Sequence, residues 1–104
     1  MDNERTISLR MSWELASGLD AYVRNNSTVF ASTAVQTMIL AFLAAPEEFP
    51  PIDDANERAS LMGKKRTSFS VSSDSYDKLA SYAQEHNTTL VELIRRILFY
   101  SLKA

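Results

Sequence analysis

The sequence predicts a mainly α-helical chain with one short two-stranded antiparallel β-ribbon, in which a strand–helix–helix unit is written twice. Three observations predict it. RTISLRMS, beginning at Arg5, and RTSFSVSS, beginning at Arg66, both open on Arg-Thr, alternate apolar with polar residues and stop at serine. At an offset of 60 the apolar pattern continues beyond them, with Leu19 falling on Leu79 and Tyr22 on Tyr82. Past the next loop the offset is 59, and Ala34-Val35 meets Leu93-Ile94 while Met38-Ile39 meets Ile97-Leu98. A lone strand would leave backbone N–H and C=O groups unpaired. A unit of about 40 residues is also at the limit of independent folding. The two strands are therefore expected to pair with each other, giving a pseudo-two-fold domain over residues 1–104.

The first strand, Arg5 to Met11, has period two. Ile7, Leu9 and Met11 share one face, and Thr6, Ser8 and Arg10 share the other. Ser12 suits the N-cap of the next helix, with Glu14 in its first turn; Ser72 and Asp74 repeat the arrangement. Leu15, Leu19, Tyr22 and Val23 then form one apolar stripe, matched by Tyr76, Leu79, Tyr82 and Ala83. Gly18 interrupts the first helix and suggests a close helix crossing. NNSTV and EHNTT are loops rich in capping residues. The second helices are predicted from Phe30 to Ala44 and from Thr89 to Leu102, their apolar stripes forming core.

The units therefore span 5–44 and 64–103, and 45–63 is a linker. Pro46, Pro50 and Pro51 end the preceding helix and stiffen the exit. DDANERASLM within it suits a short helix capped by aspartate. Fully extended, about 20 residues reach about 65 Å, so the linker is expected to permit any placement of the second unit.

Cysteine is absent, which excludes disulfides and thiolate metal sites and fits a cytoplasmic protein. His86 is the only histidine, so zinc or histidine-based catalysis is not expected. No carboxylate pair, activated nucleophile or glycine-rich phosphate loop is present. An enzyme and a cofactor are not expected. The opening MDNERT is unlike a signal peptide, and no apolar run has the roughly 18 residues a membrane span needs. The net charge of −2 hides a gradient. Residues 1–43 carry 3 basic and 4 acidic groups, 44–63 carry 1 and 5, and 64–104 carry 7 and 4. Local fields decide binding more than the total does.

RTISLRMSWELASGLDAYV and RTSFSVSSDSYDKLASYA resemble the strand and first helix of the ribbon-helix-helix DNA-binding proteins, the Arc and MetJ type. NTTLVELIRRIL resembles the start of the family's second helix, and FASTAVQTMIL does so more loosely. Family members are usually homodimers of one such unit, so the resemblance implies a single-chain pseudo-dimer. It implies double-stranded DNA as partner, with the ribbon in the major groove. The implied base-reading residues are Thr6, Ser8 and Arg10 with Arg66, Ser68 and Ser70. The implied phosphate contacts are backbone N–H groups near Thr28, Val29 and Phe30, and near Thr88, Thr89 and Leu90. This is a thin base-reading set, and the first unit has no basic residue near its second-helix start.

A pseudo-axis between Ser8 and Ser68 makes paired positions sum to 76 and sets Arg10 opposite Arg66. Like charges directly opposite are destabilising on a ribbon, which suggests a bound anion. Lys64 and Lys65 are either a phosphate-tracking arm or solvated linker lysines. Glu92 and Arg96, four apart, suit an exposed ion pair more than a functional contact of Arg95 and Arg96, and Trp13 suits a partly buried cover for the ribbon end more than a base-stacking platform. Leu40 and Phe99 occupy matching positions, which either face outward, permitting self-association or a protein partner, or thicken the core. The sequence thus suggests a transcriptional repressor. The alternatives are an antitoxin or adaptor gripping a protein partner, and a fold whose DNA binding has decayed.

Overall fold

The computed structural model describes residues 4–25 and 30–103. Its elements, in chain order, are β1 (Glu4–Met11), α1 (Trp13–Asn25), α2 (Ala31–Ala44), a 3-10 turn (Pro46–Glu48), α3 (Ala55–Leu61), β2 (Lys65–Ser72), α4 (Ser73–Glu85) and α5 (Leu90–Lys103). The chain is mainly helical, with one two-stranded antiparallel sheet among the described residues. No helix among them is long and apolar enough to cross a membrane.

Local chemistry sets the boundaries. Ser12 Oγ accepts the Leu15 N–H at 3.1 Å, and Ser72 Oγ accepts that of Ser75 at 3.1 Å. Each strand therefore passes into its helix through a serine cap. Asp54 caps α3 by accepting from Asn56 and Glu57. Asn87, at φ 54°, closes α4 in the left-handed region. There the Thr88 N–H donates to Ala83 C=O at 2.9 Å and the Asn87 N–H to Gln84 C=O at 3.4 Å, a paired closure of orphan carbonyls.

β1 pairs with β2 from Glu4↔Ser72 to Met11↔Lys65, with Ser8 opposite Ser68 and Arg10 opposite Arg66. This is the register expected from the sequence. Ile7, Leu9, Met11, Phe69 and Val71 are buried on one face and meet the helices. Each such side chain contributes about 1.5–3 kcal/mol on burial, so the register is held by apolar packing: a one-residue slip would turn all five to water.

Each outer edge of the ribbon is also held at one end. Ser32 Oγ of α2 accepts the Ser70 N–H at 3.1 Å, and Gln36 Oε1 accepts the Ser72 N–H at 3.1 Å. On the opposite edge Arg95 of α5 donates twice to the Arg10 carbonyl, at 3.0 Å from Nε and 2.7 Å from Nη2. Gln36 and Arg95 are separated by 59 positions, the offset at which the helix patterns align. Each second helix thus grips the strand distant from it in sequence and takes up main-chain groups at one end of that strand's outer edge.

Several expectations are corrected. The linker is not a loose spacer, because Phe49, Ile52 and Leu61 are buried in the core. Leu61 C=O accepts the Ser12 N–H at 2.9 Å, and a Cβ on Gly63 would lie 2.6 Å from both Met11 O and Ser12 Cα. Chain and ribbon approach so closely that glycine is required by space. Glu92 pairs with Arg95 at 3.2 Å, not with Arg96, because the Arg10 carbonyl draws Arg95 to that side of the helix. Trp13 is 69% exposed and does not close the end of the ribbon.

Gly18 is no close crossing. A Cβ there would meet only Leu102 Cδ1, at 3.5 Å, which is ordinary contact, and its φ is not positive. Gly18→Ala is therefore expected to stabilise the fold by about 0.5–1 kcal/mol through helix propensity. Urea unfolding checks this, with a higher midpoint at unchanged slope.

Candidate nucleic-acid interface

The ribbon face turned away from the core carries Thr6, Ser8 and Arg10 on β1 and Arg66, Ser68 and Ser70 on β2, all exposed. Period two places them there, since the alternate residues enter the core. The Ser70 and Ser72 N–H groups bond to α2, so the even-numbered positions turn their main-chain groups outward. They form the non-hydrogen-bonded pairs of the ladder, in which opposed side chains lie closest.

Ser8 and Ser68 meet at the centre, Oγ to Oγ at 2.9 Å. Thr6 faces Ser70 on one side, and Arg10 faces Arg66 on the other. Among the described residues neither Arg10 nor Arg66 forms an ion pair. Two guanidiniums thus stand opposed without a carboxylate, presenting forked donors outward. The far end is different in kind, with Glu4 opposite Ser72. The face is cationic at one end only.

The other cations at the strand ends are drawn elsewhere. The Arg5 guanidinium stacks 4.3 Å from the Tyr76 ring centroid, on the covered side. Lys65 is the first residue of β2, not part of an arm, and its Nζ lies 5.8 Å from the Trp13 ring centroid. Lys64 is exposed immediately before it. Both lysines are exposed, Lys64 just before the strand and Lys65 at its start.

The helix starts flank the face unequally. Thr28 and Val29 lie outside the described residues. Phe30 is 67% exposed and precedes α2 without a side-chain cap, beside a shallow cleft that also includes Glu4, Ser32 and Ser70. At α5 the Thr89 hydroxyl accepts the Glu92 N–H at 3.1 Å, and the Thr88 N–H is used in closing α4. Of the backbone donors expected for phosphate at that corner, Thr89 and Leu90 stay outside these bonds. Arg95 ties α5 to Arg10, so this helix start belongs to the cationic end of the ribbon.

Sequence reasoning missed Gln36, Ser32 and Arg95 as the residues that hold the ribbon edges. Gln36 also donates from Nε2 to Ser75 Oγ at 3.0 Å, which fixes its amide toward Ser72. The matching positions of Gln36 and Arg95, each directly beside the apolar stripe of its second helix, were the available signal. No protein-family model, curated protein or solved structure matches this chain.

Proposed function

We propose that this chain is a sequence-specific DNA-binding repressor of the ribbon-helix-helix type, a pseudo-dimer of two strand–helix–helix units in one polypeptide. The ribbon would lie in the major groove and read base edges through Thr6, Ser8, Arg10, Arg66, Ser68 and Ser70. The observation that carries the reading is the Arg10–Arg66 opposition on an uncovered face, without a carboxylate partner among the described residues. An isolated like-charge pair costs stability. Guanine O6 and N7 would supply the missing acceptors, and each arginine can fork onto one such edge. The ends of the face differ in charge, so the operator need not be palindromic.

Selection of bound duplexes from a random pool, at two salt concentrations, tests this. A short motif should be enriched at both, with affinity falling at higher salt as counterions are released. Absence of an enriched motif, with binding lost at the higher salt, would reject base reading.

A protein-binding adaptor is the second reading, favoured by the docked linker. Glu47, Glu48, Asp53, Asp54 and Glu57 are all exposed on a segment anchored by buried Phe49, Ile52 and Leu61. Leu40, 53% exposed on α2, adds an outward apolar spot, whereas Phe99 is half-buried and does not match it. Replacing the whole linker would also damage the core. Charge-neutralising changes at the acidic positions, Glu to Gln and Asp to Asn, distinguish the two readings: operator binding is retained, and only an adaptor loses its partner.

A further inference from the structure

A cleft of about 550 Å³ separates the docked linker from the corner between α4 and α5. Its linker wall carries the apolar side chains of Ile52, Leu61 and Met62 beside the Arg58 guanidinium. Across it the Tyr82 and His86 rings stack at 3.9 Å, and His86 Nδ1 lies 2.9 Å from the Tyr82 carbonyl. Arg58, Arg95 and Arg96 also line the cleft, against a single carboxylate, that of Glu92.

The charges do not balance. Glu92 is taken by Arg95, whose guanidinium is also bound to the Arg10 carbonyl. Arg58 donates to the Ile52 carbonyl at 3.2 Å, and no carboxylate among the described residues is paired with it. Arg96 reaches the Tyr82 hydroxyl at 3.4 Å, a long bond, and its buried Nε has no acceptor. A buried donor without an acceptor is uncommon, and a buried charge without a counter-charge is costly. Water could satisfy a donor but would not offset the cationic excess. The Phe42 and Tyr82 rings, each with its centroid 5.8 Å from Arg96 Cζ, partly stabilise that cation from the side.

We infer that this cleft is a binding site for a small organic anion, a phosphate or carboxylate carried on an apolar body about one ring in size. The anionic group would lie between Arg58 and Arg96, and the body against Ile52, Leu61 and Met62. The volume falls within the range of small-molecule sites. If the ribbon reads DNA as proposed above, the ligand would share Arg95 with the reading face, because Arg95 both lines the cleft and holds Arg10. The site itself does not depend on that reading.

Isothermal titration calorimetry of the full chain with phenyl phosphate, inorganic phosphate and phenol, without DNA, tests the assignment. Phenyl phosphate should bind one per chain, about tenfold tighter than inorganic phosphate because the ring is buried, with phenol weaker than both. Arg58→Gln, on the exposed outer wall, should weaken phenyl phosphate at least about tenfold, and Arg96→Gln should do the same. Lys78→Gln, outside the cleft, should change nothing. If Arg96→Gln fails to fold, Arg58→Gln alone decides. Equal affinity for phenol, equal affinity for inorganic phosphate, or an unchanged Arg58→Gln titration would overturn the assignment. So would a loss of duplex affinity in Arg58→Gln as large as its loss for phenyl phosphate, which would make the cleft a seat for the DNA backbone. Binding is measured without DNA, so a failed operator selection would leave a positive result standing.

Discussion

Replacing Arg10 with alanine is expected to weaken operator binding about 10- to 100-fold while raising the melting temperature. The two effects have one origin. Arg10 stands opposite Arg66 in a close, non-hydrogen-bonded pair, and no carboxylate among the described residues relieves them. Removing one guanidinium removes the repulsion, worth a rise of about 1–4 °C for a domain of this size. It also removes a forked donor from the face proposed to read guanine, and such contacts contribute about 1–3 kcal/mol of discrimination. Ordinary damage to a site lowers affinity and stability together. Here they should move in opposite directions. Anisotropy titrations at fixed salt and thermal unfolding read the two quantities. The strand should remain in place, because Arg95 holds the main-chain carbonyl of Arg10 and not its side chain. A higher melting temperature with unchanged affinity would show that the pair does not touch DNA.

The sequence was most informative where one period or one cap decides the outcome. Strict alternation from Ile7 to Met11 and from Thr67 to Val71 identified both strands and their buried faces. Ser12 and Ser72, placed just ahead of apolar stripes, marked the helix starts. The register was legible because neither strand had another partner, and the centre of the matching segments fell between Ser8 and Ser68.

Tertiary competition decided the rest. On a helix Glu92 can reach either the third or the fourth residue onward, so spacing alone does not choose between Arg95 and Arg96. The choice follows from an outward carbonyl on β1 that needs a donor, which only the folded ribbon creates. Phe49 and Ile52 lie among three prolines and several acids, with no period to announce burial, and only docking gives them a core to enter. The use of the Thr88 N–H in closing α4 had a weak sequence signal. Asn87 follows a helix and precedes two threonines, and asparagine adopts the left-handed closing conformation more readily than most residues.

The docked linker leads to the largest expected change in stability. Phe42 is fully buried, with its ring edge-to-face against Phe49 of the linker at 5.5 Å and Tyr82 of α4 at 5.0 Å. Phe49 in turn meets Tyr100 of α5 at 6.1 Å. Phe42→Ala is expected to cost about 3–5 kcal/mol, combining lost transfer energy with an unfilled cavity. Domains of this class have about 5–15 kcal/mol in total, so the melting temperature should fall by at least about 15 °C. Phe49→Ala should cost less, since Phe49 lies at the rim of the core with 9% of its surface exposed. The double variant distinguishes a docked linker from a tethered one. If the rings act together, its loss should be smaller than the sum of the single losses by about 0.5–1.5 kcal/mol. Additive losses, with Phe49→Ala near the wild-type midpoint, would mean that the linker only joins the two halves. A docked linker gives the ribbon a further support, because the carbonyl of Leu61 holds the end of β1 at Ser12. Weakening the Phe42–Phe49 contact should therefore speed amide exchange at Ser12 before it affects Ser70 and Ser72, whose N–H groups are held by α2.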